Sequence, residues 1–436
     1  MTHAAIDRQA PEAIREWQFA RFKTHWAEVA ANSPFHVERF RTLGIGPSDI
    51  RSWADLRKLP PLETKTLLER NLDFPAVPRA RLRRILVSGG TTGNPKIGFY
   101  ADNLHEIIKE WAAVWQGAGL TPEDVVAVLC PIPLASGMLI TEFLEEAGCT
   151  TLPVGLTTPP EFAARLMQQL GATAIVSQPS TVQHFAEQIR AFDYRPADFG
   201  IRKMYLGSEV LTKNSRRGLE AEWGCEIYDT SGSSETGMIG AECPEHDGHH
   251  LAVGSAYFEI LDQETHAPVT EGVGQLYITT LLNLGLPLIR YDMKDLVRVT
   301  SEPCRCGRTT PRMWFRGRAD DRFVLKTGVK FFSYQVDAAL EPFDAITASY
   351  NVIASGDRQQ DRIRLVIEAH DAAHAEAGLK SRISTAIIGS SVDFSEIHAS
   401  GLVGDPDVEF VPIGSLPRTP RGKIMHRFQD RRTTIH

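Results

Sequence analysis

The chain lacks the features of membrane, nucleic-acid-binding and disulfide-framed proteins. Glycine and proline interrupt its apolar runs before they approach the ~20 residues that a membrane-spanning helix needs. Acidic residues outnumber basic ones by 54 to 47, and the net charge of −7 argues against a nucleic-acid binder, which presents a basic face. Six cysteines in 436 residues make no disulfide framework. With neither nucleic acid nor membrane among its expected partners, a small-molecule substrate remains.

The composition that is present predicts a globular protein of several domains. The residues are 42% hydrophobic and 23% charged, without the bias that accompanies disorder. A chain of 436 residues exceeds what one hydrophobic core comfortably holds, so we expect two or three domains, in a monomer or a homodimer. Residues 1–22 contain no apolar stretch of the secretory kind, and we therefore expect a cytoplasmic protein.

Hydrophobic periodicity divides the first 250 residues into two segments. Over residues 1–80, aromatic side chains such as Trp17 and Trp26 recur near helical spacing, which predicts a helical start. Over residues 84–250, short apolar runs such as VVAVLC alternate with helical stretches such as PEFAARLMQQLG. Strand–helix alternation predicts an α/β core with a largely parallel sheet.

Beyond residue 250 the pattern changes twice. Residues 250–316 are richer in strands and turns, which predicts a β subdomain. After residue 316 the sequence restarts with strand, helix, strand, helix and strand, a pattern typical of a compact α+β unit. The predicted fold class is therefore α/β, with a large multi-layer N-terminal domain over residues 1–316 and a small α+β C-terminal domain over residues 317–436.

One glycine-rich segment has the composition of an anion-binding loop. Its sequence is SGGTTGNPK, in which glycines allow close backbone approach, hydroxyls donate hydrogen bonds and lysine supplies charge. It is not a Walker A loop, because asparagine follows the third glycine. The alternative is an ordinary strand-to-helix turn, but the full pattern favours phosphate binding. The predicted phosphate-binding residues are Ser88, Gly89, Gly90, Thr91, Thr92, Gly93 and Lys96.

With this loop the sequence resembles the adenylate-forming superfamily of acyl-CoA synthetases, adenylation domains and luciferases, and most closely its phenylacetate–CoA ligase branch. The family's further motifs follow in the family's order, so the resemblance covers essentially residues 50–430. The matching segments are YLGSE at 205–209, DTSGSSE at 229–235, YDMKD at 291–295, GRADD at 317–321 and LPRTPRGK at 416–423. Each segment alone has an ordinary structural explanation, whereas six ordered matches do not.

The resemblance implies a role for each segment. Glu235 would bind Mg²⁺, Asp295 and Arg318 would hold the ribose, and Lys423 and Glu235 would be the catalytic residues. The C-terminal domain would be mobile, with Asp320 as its hinge. The remaining nucleotide-binding residues that the resemblance implies are Gly207, Ser208, Glu209, Asp229, Thr230, Ser231, Gly232 and Ser234. The implied substrate pocket contains Pro133, Ser136, Gly137, Gly232 and Ser233.

Three departures from the family pattern bear on the substrate. Ser231 replaces the usual tyrosine, residues 292–294 replace the usual Arg-Thr pair, and CPIP at 130–133 replaces glycine and aromatic residues. These departures leave the superfamily assignment unchanged and argue against phenylacetate itself as the acid.

The resemblance implies a two-step reaction with ATP, Mg²⁺ and coenzyme A. A carboxylic acid, expected to be aromatic, forms acyl-AMP with release of pyrophosphate, and a thiol then takes the acyl group. The enzyme must hold two repelling anions in line, which explains the need for a metal and a lysine. The alternative acceptor is the phosphopantetheine of an acyl carrier protein. A non-catalytic regulatory homologue that binds acyl-AMP is a further alternative, although Glu235 and Lys423 argue against it.

A group of cysteines and histidines predicts a structural zinc site. Cys304 and Cys306 form a C-x-C-G knuckle, and Cys243 precedes three histidines. Three cysteines and one histidine are a usual tetrahedral set. Some phenylacetate–CoA ligases carry zinc at matching segments, where the histidine corresponds to His250; His246 and His249 are the alternatives. The competing interpretation is a pair of reduced cysteines in a turn beside exposed histidines.

Overall fold

The computed structural model describes residues 6–87, 96–131, 135–320, 322–325, 328–356, 360–370, 373, 376–418, 424–425 and 427–432. These residues form two compact units. The larger contains the chain up to Ser208 and from Glu220 to Phe315, and the smaller contains 209–219 and the chain from Arg316 onward. The main division thus falls where the sequence pattern restarts. The sequence pattern did not indicate that residues 209–219 group with the smaller unit.

Helices cover most of the chain before residue 74. Pro11 and Pro34 occupy first-turn positions, where a missing N–H costs nothing, and Ser33 caps the second helix by accepting from the His36 N–H. Phe22 and Trp26 are buried on one face of the first helix. The helices of this region are α1 (Pro11–Asn32), α2 (Pro34–Leu43), α3 (Trp53–Leu56) and α4 (Thr64–Arg70), with 3₁₀ turns at Pro47–Asp49, Asn71–Asp73 and Arg79–Arg81.

The glycine-rich loop is flanked by an antiparallel pair of strands, β1 (Leu82–Val87) and β2 (Ile97–Ala101), which form a sheet of their own. The sequence pattern grouped the first of these strands with the parallel core. The connection between them is too short for the crossover that a parallel pair requires, and the hairpin follows from that length.

Five parallel strands make the α/β core. They are β3 (Val125–Val128), β4 (Thr150–Leu152), β5 (Ala174–Ser177), β6 (Lys203–Gly207) and β7 (Glu226–Ser233). Residues 126–128 and 174–177 are buried throughout, as expected for strands covered on both faces. The helices between the strands are α5 (Leu104–Gly117), α6 (Ala135–Glu146), α7 (Pro160–Gln169), α8 (Pro179–Arg190) and α9 (Lys213–Trp223), with a 3₁₀ turn at Pro196–Phe199.

The strand-rich segment after residue 233 extends this sheet. Its strands are β8 (Gly237–Glu242), β9 (His249–Leu251), β10 (Ala256–Leu261), β11 (Gly272–Thr280), β12 (Tyr291–Thr300) and β13 (Arg312–Arg318). Within the described residues the eleven-stranded order is β10-β11-β12-β13-β9-β8-β7-β6-β5-β3-β4. The segment predicted as a β subdomain therefore has no separate sheet, because β13 pairs with β9 and joins the two halves.

The smaller unit is built on a four-stranded sheet in the order β18-β17-β16-β19. Its elements are β14 (Arg322–Val324), β15 (Lys330–Phe332), α10 (Ser333–Leu340), β16 (Ile346–Gly356), β17 (Asp361–Ala369), α11 (Leu379–Ile388), α12 (Val392–Ala399), β18 (Asp407–Pro412) and β19 (Phe428–Asp430). Tyr350, Leu365, Ile383 and Phe394 are fully buried in its core. A large sheet unit followed by a small α/β unit confirms the predicted fold class. No helix among the described residues is long and apolar enough to cross a membrane.

Candidate active site and metal-ligand cluster

Lys96, at the end of the glycine-rich segment, meets Glu235, the acid of the DTSGSSE segment. Their side chains form an ion pair through Lys96 Nζ and Glu235 Oε1. Tyr291, the first residue of YDMKD, donates its hydroxyl to the same oxygen at 3.0 Å, and Lys96 Nζ lies 3.3 Å from the tyrosine oxygen. Three segments far apart in the sequence thus place a cation, a carboxylate and a phenol together.

The polar contacts around Glu235 fix the position of its carboxylate. Glu235 is 5% exposed, which makes an unpaired charge costly. The Tyr291 proton goes to Glu235, so the 3.0 Å hydrogen bond between Tyr291 and Thr64 takes its proton from the threonine hydroxyl. Neither Tyr291 nor Thr64 was assigned a role from the sequence. Tyr291 stands inside a recognised motif, which was a usable signal, whereas nothing marks Thr64.

Two glycines beside this site allow close backbone approach. A Cβ on Gly207 would lie 2.5 Å from the carbonyl oxygen of Thr230, and one on Gly232 would lie 2.9 Å from that of Gly237. Both distances are shorter than real Cβ contacts, so larger residues would push the strands apart. Ser208, which follows β6, adopts a positive φ of 67°, and Glu209 follows it. These residues were predicted to line the nucleotide site.

Asp229 is held by residues of the next two strands of the sheet, Glu242 on β8 and His249 on β9. Glu242 accepts a hydrogen bond from the Asp229 N–H at 2.9 Å, and His249 Nε2 lies 3.4 Å from Oδ2 of Asp229. Burial by itself lowers the pKa of His249, but the charges of Asp229 and Glu242 raise it above the ordinary value. The carboxylate of Asp229 is thus paired inside the protein.

Thr230, Ser231, Ser233 and Ser234 lie on β7 and the turn after it. Thr230 Oγ1 donates to the carbonyl of Leu206 at 3.1 Å, and Ser231 Oγ donates to the carbonyl of Gly240 at 3.2 Å. Ser233 Oγ shares a 2.8 Å hydrogen bond with Thr236 Oγ1. The hydroxyls of Ser231 and Ser233 therefore stabilise the hairpin that carries Glu235, and that of Thr230 ties β7 to β6.

The YDMKD segment has its own set of contacts. Asp292 pairs with Lys294 Nζ at 2.6 Å and accepts from Gln275 Nε2 at 2.6 Å. Lys294 adopts a positive φ of 58°, which bends β12 just before the half-buried Asp295. The unusual Asp-Met-Lys sequence thus makes an internal ion pair.

In the smaller unit, Arg318 pairs with Asp320 at 2.9 Å, a contact between two exposed side chains that sequence reasoning missed.

Several predicted site residues lie outside the described residues. They are Ser88, Gly89, Gly90, Thr91, Thr92, Gly93, Pro133 and Lys423. Of the remaining pocket residues, Gly137 is buried near the start of α6.

Four of the predicted zinc ligands come together. The donor atoms of Cys243, His250, Cys304 and Cys306 all lie within 4.8 Å of one another. The sulfurs of Cys243 and Cys304 are 3.7 Å apart, close to the ~3.8 Å that two ~2.3 Å Zn–S bonds span at a tetrahedral angle. Cys306 Sγ lies 3.4 Å from His250 Nε2. The donor set and its spacing therefore fit a zinc ion.

The surroundings of the cluster also fit a cation. Burial raises the pKa of Cys243 to about 12, so a thiolate there requires a positive charge to stabilise it. His250 Nδ1 shares a 3.0 Å hydrogen bond with Thr310 Oγ1, which leaves Nε2 facing the sulfurs. Of the three candidate histidines, His250 completes the cluster. His249 faces Asp229, and His246 packs against Tyr228 with ring centroids 4.8 Å apart.

Comparison with known proteins bears on all these features. The chain matches the family model described as AMP-binding enzyme over residues 48–282, and the model described as AMP-binding enzyme C-terminal domain over residues 328–432. It is 31% identical to the phenylacetate-coenzyme A ligase of Thermus thermophilus, over 95% of this chain and 96% of that protein. It is 28% identical to the phenylacetate-coenzyme A ligase of Escherichia coli K12, over 97% and 96%.

Solved structures show the same fold. A crystal structure of 2-hydroxyisobutyryl-CoA ligase, in the postadenylation state with an acyl-AMP, matches with a TM-score of 0.83 at 20% identity, over 98% of this chain and 91% of that one. The same enzyme in its thioesterification state, with 2-HIB-AMP and CoA, matches with a TM-score of 0.69 at 22% identity and the same coverage. The predicted resemblance is confirmed: the chain belongs to the family of AMP-binding enzymes, as an adenylate-forming enzyme of the phenylacetate–CoA ligase-like branch.

Proposed function

We propose that this enzyme is an AMP-forming acid–CoA ligase that activates an aromatic carboxylic acid. The acid and ATP give acyl-AMP and pyrophosphate, and the thiol of CoA then displaces AMP to give the thioester. The observation that carries the proposal is the contact of Lys96 with Glu235, because it joins the predicted phosphate loop to the predicted magnesium acid. The curated relatives that match over most of the chain are phenylacetate–CoA ligases, which supports an aromatic acid.

The Lys96–Glu235 contact suits a site that exchanges partners when MgATP binds. Without nucleotide, each charge neutralises the other in a largely buried place. The β- and γ-phosphates could then pair with Lys96, and the Glu235 carboxylate would lose its lysine partner. Glu235 would then hold Mg²⁺, which supplies positive charge to the phosphates as pyrophosphate leaves. Tyr291 keeps the carboxylate in place during the exchange, since its hydroxyl donates to Oε1.

Lys423 is proposed to act in the first step alone. Its ammonium charge would bridge the substrate carboxylate and the α-phosphate, whose mutual repulsion otherwise opposes attack. No serine or cysteine nucleophile is required, because the mixed anhydride is itself the activated intermediate. Gly207, Gly232 and the hydroxyls of β7 are proposed to line the nucleotide and acyl sites; the two glycines let the neighbouring backbone segments approach closely there.

We further propose that Cys243, His250, Cys304 and Cys306 bind one structural zinc ion. Four protein ligands close a tetrahedral shell, so no position is left for substrate or water. The metal would fasten the knuckle at 304–306 to Cys243, just after β8, and to His250 on β9. The cytoplasmic location, and the monomeric or homodimeric state, stay predictions of the sequence.

Pyrophosphate exchange with a panel of aryl and short aliphatic acids tests the function. At least one aryl acid should support exchange, and Lys423→Ala should abolish it while the protein still converts synthetic acyl-AMP and CoA to thioester. If none of the acids supports pyrophosphate exchange and the protein binds acyl-AMP tightly, the protein is a regulatory homologue instead. If exchange occurs but free CoA gives no thioester, and a phosphopantetheinylated carrier protein does, then the carrier protein is the acceptor in place of CoA.

A further inference from the structure

The residues on either side of the Lys423 loop form the two arms of a hairpin stem. Arg418 and Ile424 are bridged as antiparallel partners, and the Met425 N–H donates to the Pro417 carbonyl at 2.8 Å. Residues 417–418 and 424–425 therefore lie side by side in antiparallel directions. Whatever fixes this stem also limits where residues 419–423 can reach, because only five residues connect its arms.

A fully buried carboxylate holds the first arm. Glu368, on β17, is 0% exposed. Its Oε1 accepts the Leu416 N–H at 2.9 Å, and its Oε2 accepts from Arg418 Nη2 at 2.5 Å. The same Arg418 nitrogen donates to Ser349 Oγ, on β16, at 3.1 Å. One side chain of the central sheet thus binds both the backbone and the side chain of the stem.

The second arm has a separate anchor. Asn351, on β16 and 3% exposed, donates from Nδ2 to the carbonyl of Met425 at 3.1 Å. Glu368 and Asn351 therefore tie the two arms to two adjacent strands of the same sheet. Hydrogen bonds that involve a charged group are the stronger kind, so the Glu368 arm carries the larger share of the anchoring.

We propose that Glu368 is a positioning residue for adenylation, which acts by fixing the stem from which Lys423 is presented. The inference rests on the proposed role of Lys423 in the first half-reaction. Burying a carboxylate costs desolvation energy, and the stability of a surface hairpin alone does not require a buried charge. It provides a stem of defined position, and misplacing a catalytic group by ~1 Å costs on the order of 10²-fold in rate.

The test is the substitution Glu368→Gln in the full-length enzyme. Glutamine keeps the shape and can still accept the Leu416 N–H, but its amide cannot neutralise Arg418. Acyl-AMP formation should fall on the order of 10²-fold, while thioester formation from supplied acyl-AMP stays within about twofold of the parent. The matched control is Glu409→Gln, the same change on β18, where a half-buried glutamate pairs with Arg364 instead of with Arg418. Both of its half-reactions should keep the parental rates.

A double-substitution cycle separates positioning from general damage. If Glu368 acts through the lysine, then Glu368→Gln in a Lys423→Ala background should slow adenylation by no more than about twofold further. Equal loss of both half-reactions at a parental melting temperature, or full additivity with Lys423→Ala, would overturn the proposal. If Lys423→Ala itself spares adenylation, the proposed role of the lysine fails first.

A second variant keeps the test decisive if Glu368→Gln lowers the melting temperature below the assay temperature. Asn351→Ala removes the anchor of the other arm without leaving a buried charge unpaired. Selective slowing of acyl-AMP formation in this variant supports the anchored stem. Unchanged adenylation in Asn351→Ala, with Glu368→Gln unfolded, overturns it, because Glu368 is then needed for stability alone.

Discussion

Lys96 and Glu235 are ion-paired in the larger unit, although 139 residues separate them in sequence. Each is the charged member of a segment predicted to bind MgATP, and each is left without its proposed ligand when the nucleotide is absent. Pairing them avoids a buried unpaired carboxylate, since Glu235 is 5% exposed. If MgATP binds here as proposed, its binding would separate the pair, with the phosphates replacing the partner of Lys96 and the metal replacing the partner of Glu235.

Glu235→Gln should lose acyl-AMP formation by about 10²- to 10³-fold, because the amide cannot neutralise a divalent cation. Pyrophosphate exchange, measured against Mg²⁺ concentration, should also shift to higher metal. The matched control is Glu226→Gln, the exposed glutamate at the opposite end of β7, which bonds the Tyr228 hydroxyl at 2.9 Å. A Glu235→Gln enzyme with the parental rate and metal dependence would remove Glu235 from the magnesium site.

Tyr291→Phe should weaken metal binding without abolishing chemistry. The hydroxyl donates to Glu235 at 3.0 Å, and hydrogen bonds to a metal-binding carboxylate commonly change metal affinity 10- to 100-fold, so we expect an effect of about 10-fold. Binding of Mn²⁺ in the presence of ATP, followed by electron paramagnetic resonance, measures this apart from turnover. Tyr277→Phe is the control, because that buried ring also lies on the main sheet, on β11, where it faces the Arg290 guanidinium at 5.9 Å. Equal metal affinity in the Tyr291→Phe enzyme would contradict the role.

The zinc site should be essential to stability and dispensable for chemistry. Elemental analysis of the purified protein should give one zinc per chain. Cys304→Ser should lose the metal and lower the melting temperature more than it lowers turnover per folded molecule, because a structural zinc contributes folding free energy. Cys225→Ser, which changes a half-buried cysteine outside the cluster, should keep both metal and stability. A metal-free parent protein of unchanged stability would refute the site.

The sequence singled out the four side chains that lie together here because a C-x-C-G knuckle is a local pattern with few other uses, and the zinc itself stays a prediction. The sequence did not decide which of the three histidines is the fourth ligand, since that choice depends on strand register. In β9, consecutive residues point to opposite faces, so His250 meets the sulfurs while His249 turns to Asp229. Sequence patterns cannot supply that face until the pairing of β9 with β8 and β13 is known.

Long-range polar anchors were beyond sequence reasoning for a similar reason. Glu368 sits in the run RIRLVIEAH, whose alternation correctly indicates a strand. Nothing in that run separates a buried glutamate from a solvated one, because its partner at Arg418 lies 50 residues further on. The α/β layering, in contrast, follows from periodicity alone, and the confirmed fold class shows how much that local signal carries.

The last prediction concerns Asp320, the proposed hinge between the two units. The larger unit ends at Phe315 and the smaller unit resumes at Arg316, a few residues before Asp320. Boundaries between domains are where large changes of backbone conformation concentrate. Proline at position 320 would fix φ near −65° and restrict Ala319 as well. Acyl-AMP should still form in Asp320→Pro, while transfer to the thiol slows by orders of magnitude, if the smaller unit rotates between the two steps as the family resemblance implies.

The structure supplies the control that the hinge test needs. Arg318 pairs with the Asp320 carboxylate at 2.9 Å, so any substitution at this position also removes an ion pair. Asp320→Ala removes the same pair without restricting the backbone, and both partners are exposed, so its cost should be small. Burst formation of acyl-AMP and steady-state thioester production, measured in both variants, separate the two effects. A hinge requires slow transfer in the proline variant alone; equal thioester output from both variants and the parent would end the assignment, since a surface acid in an ordinary loop tolerates either change.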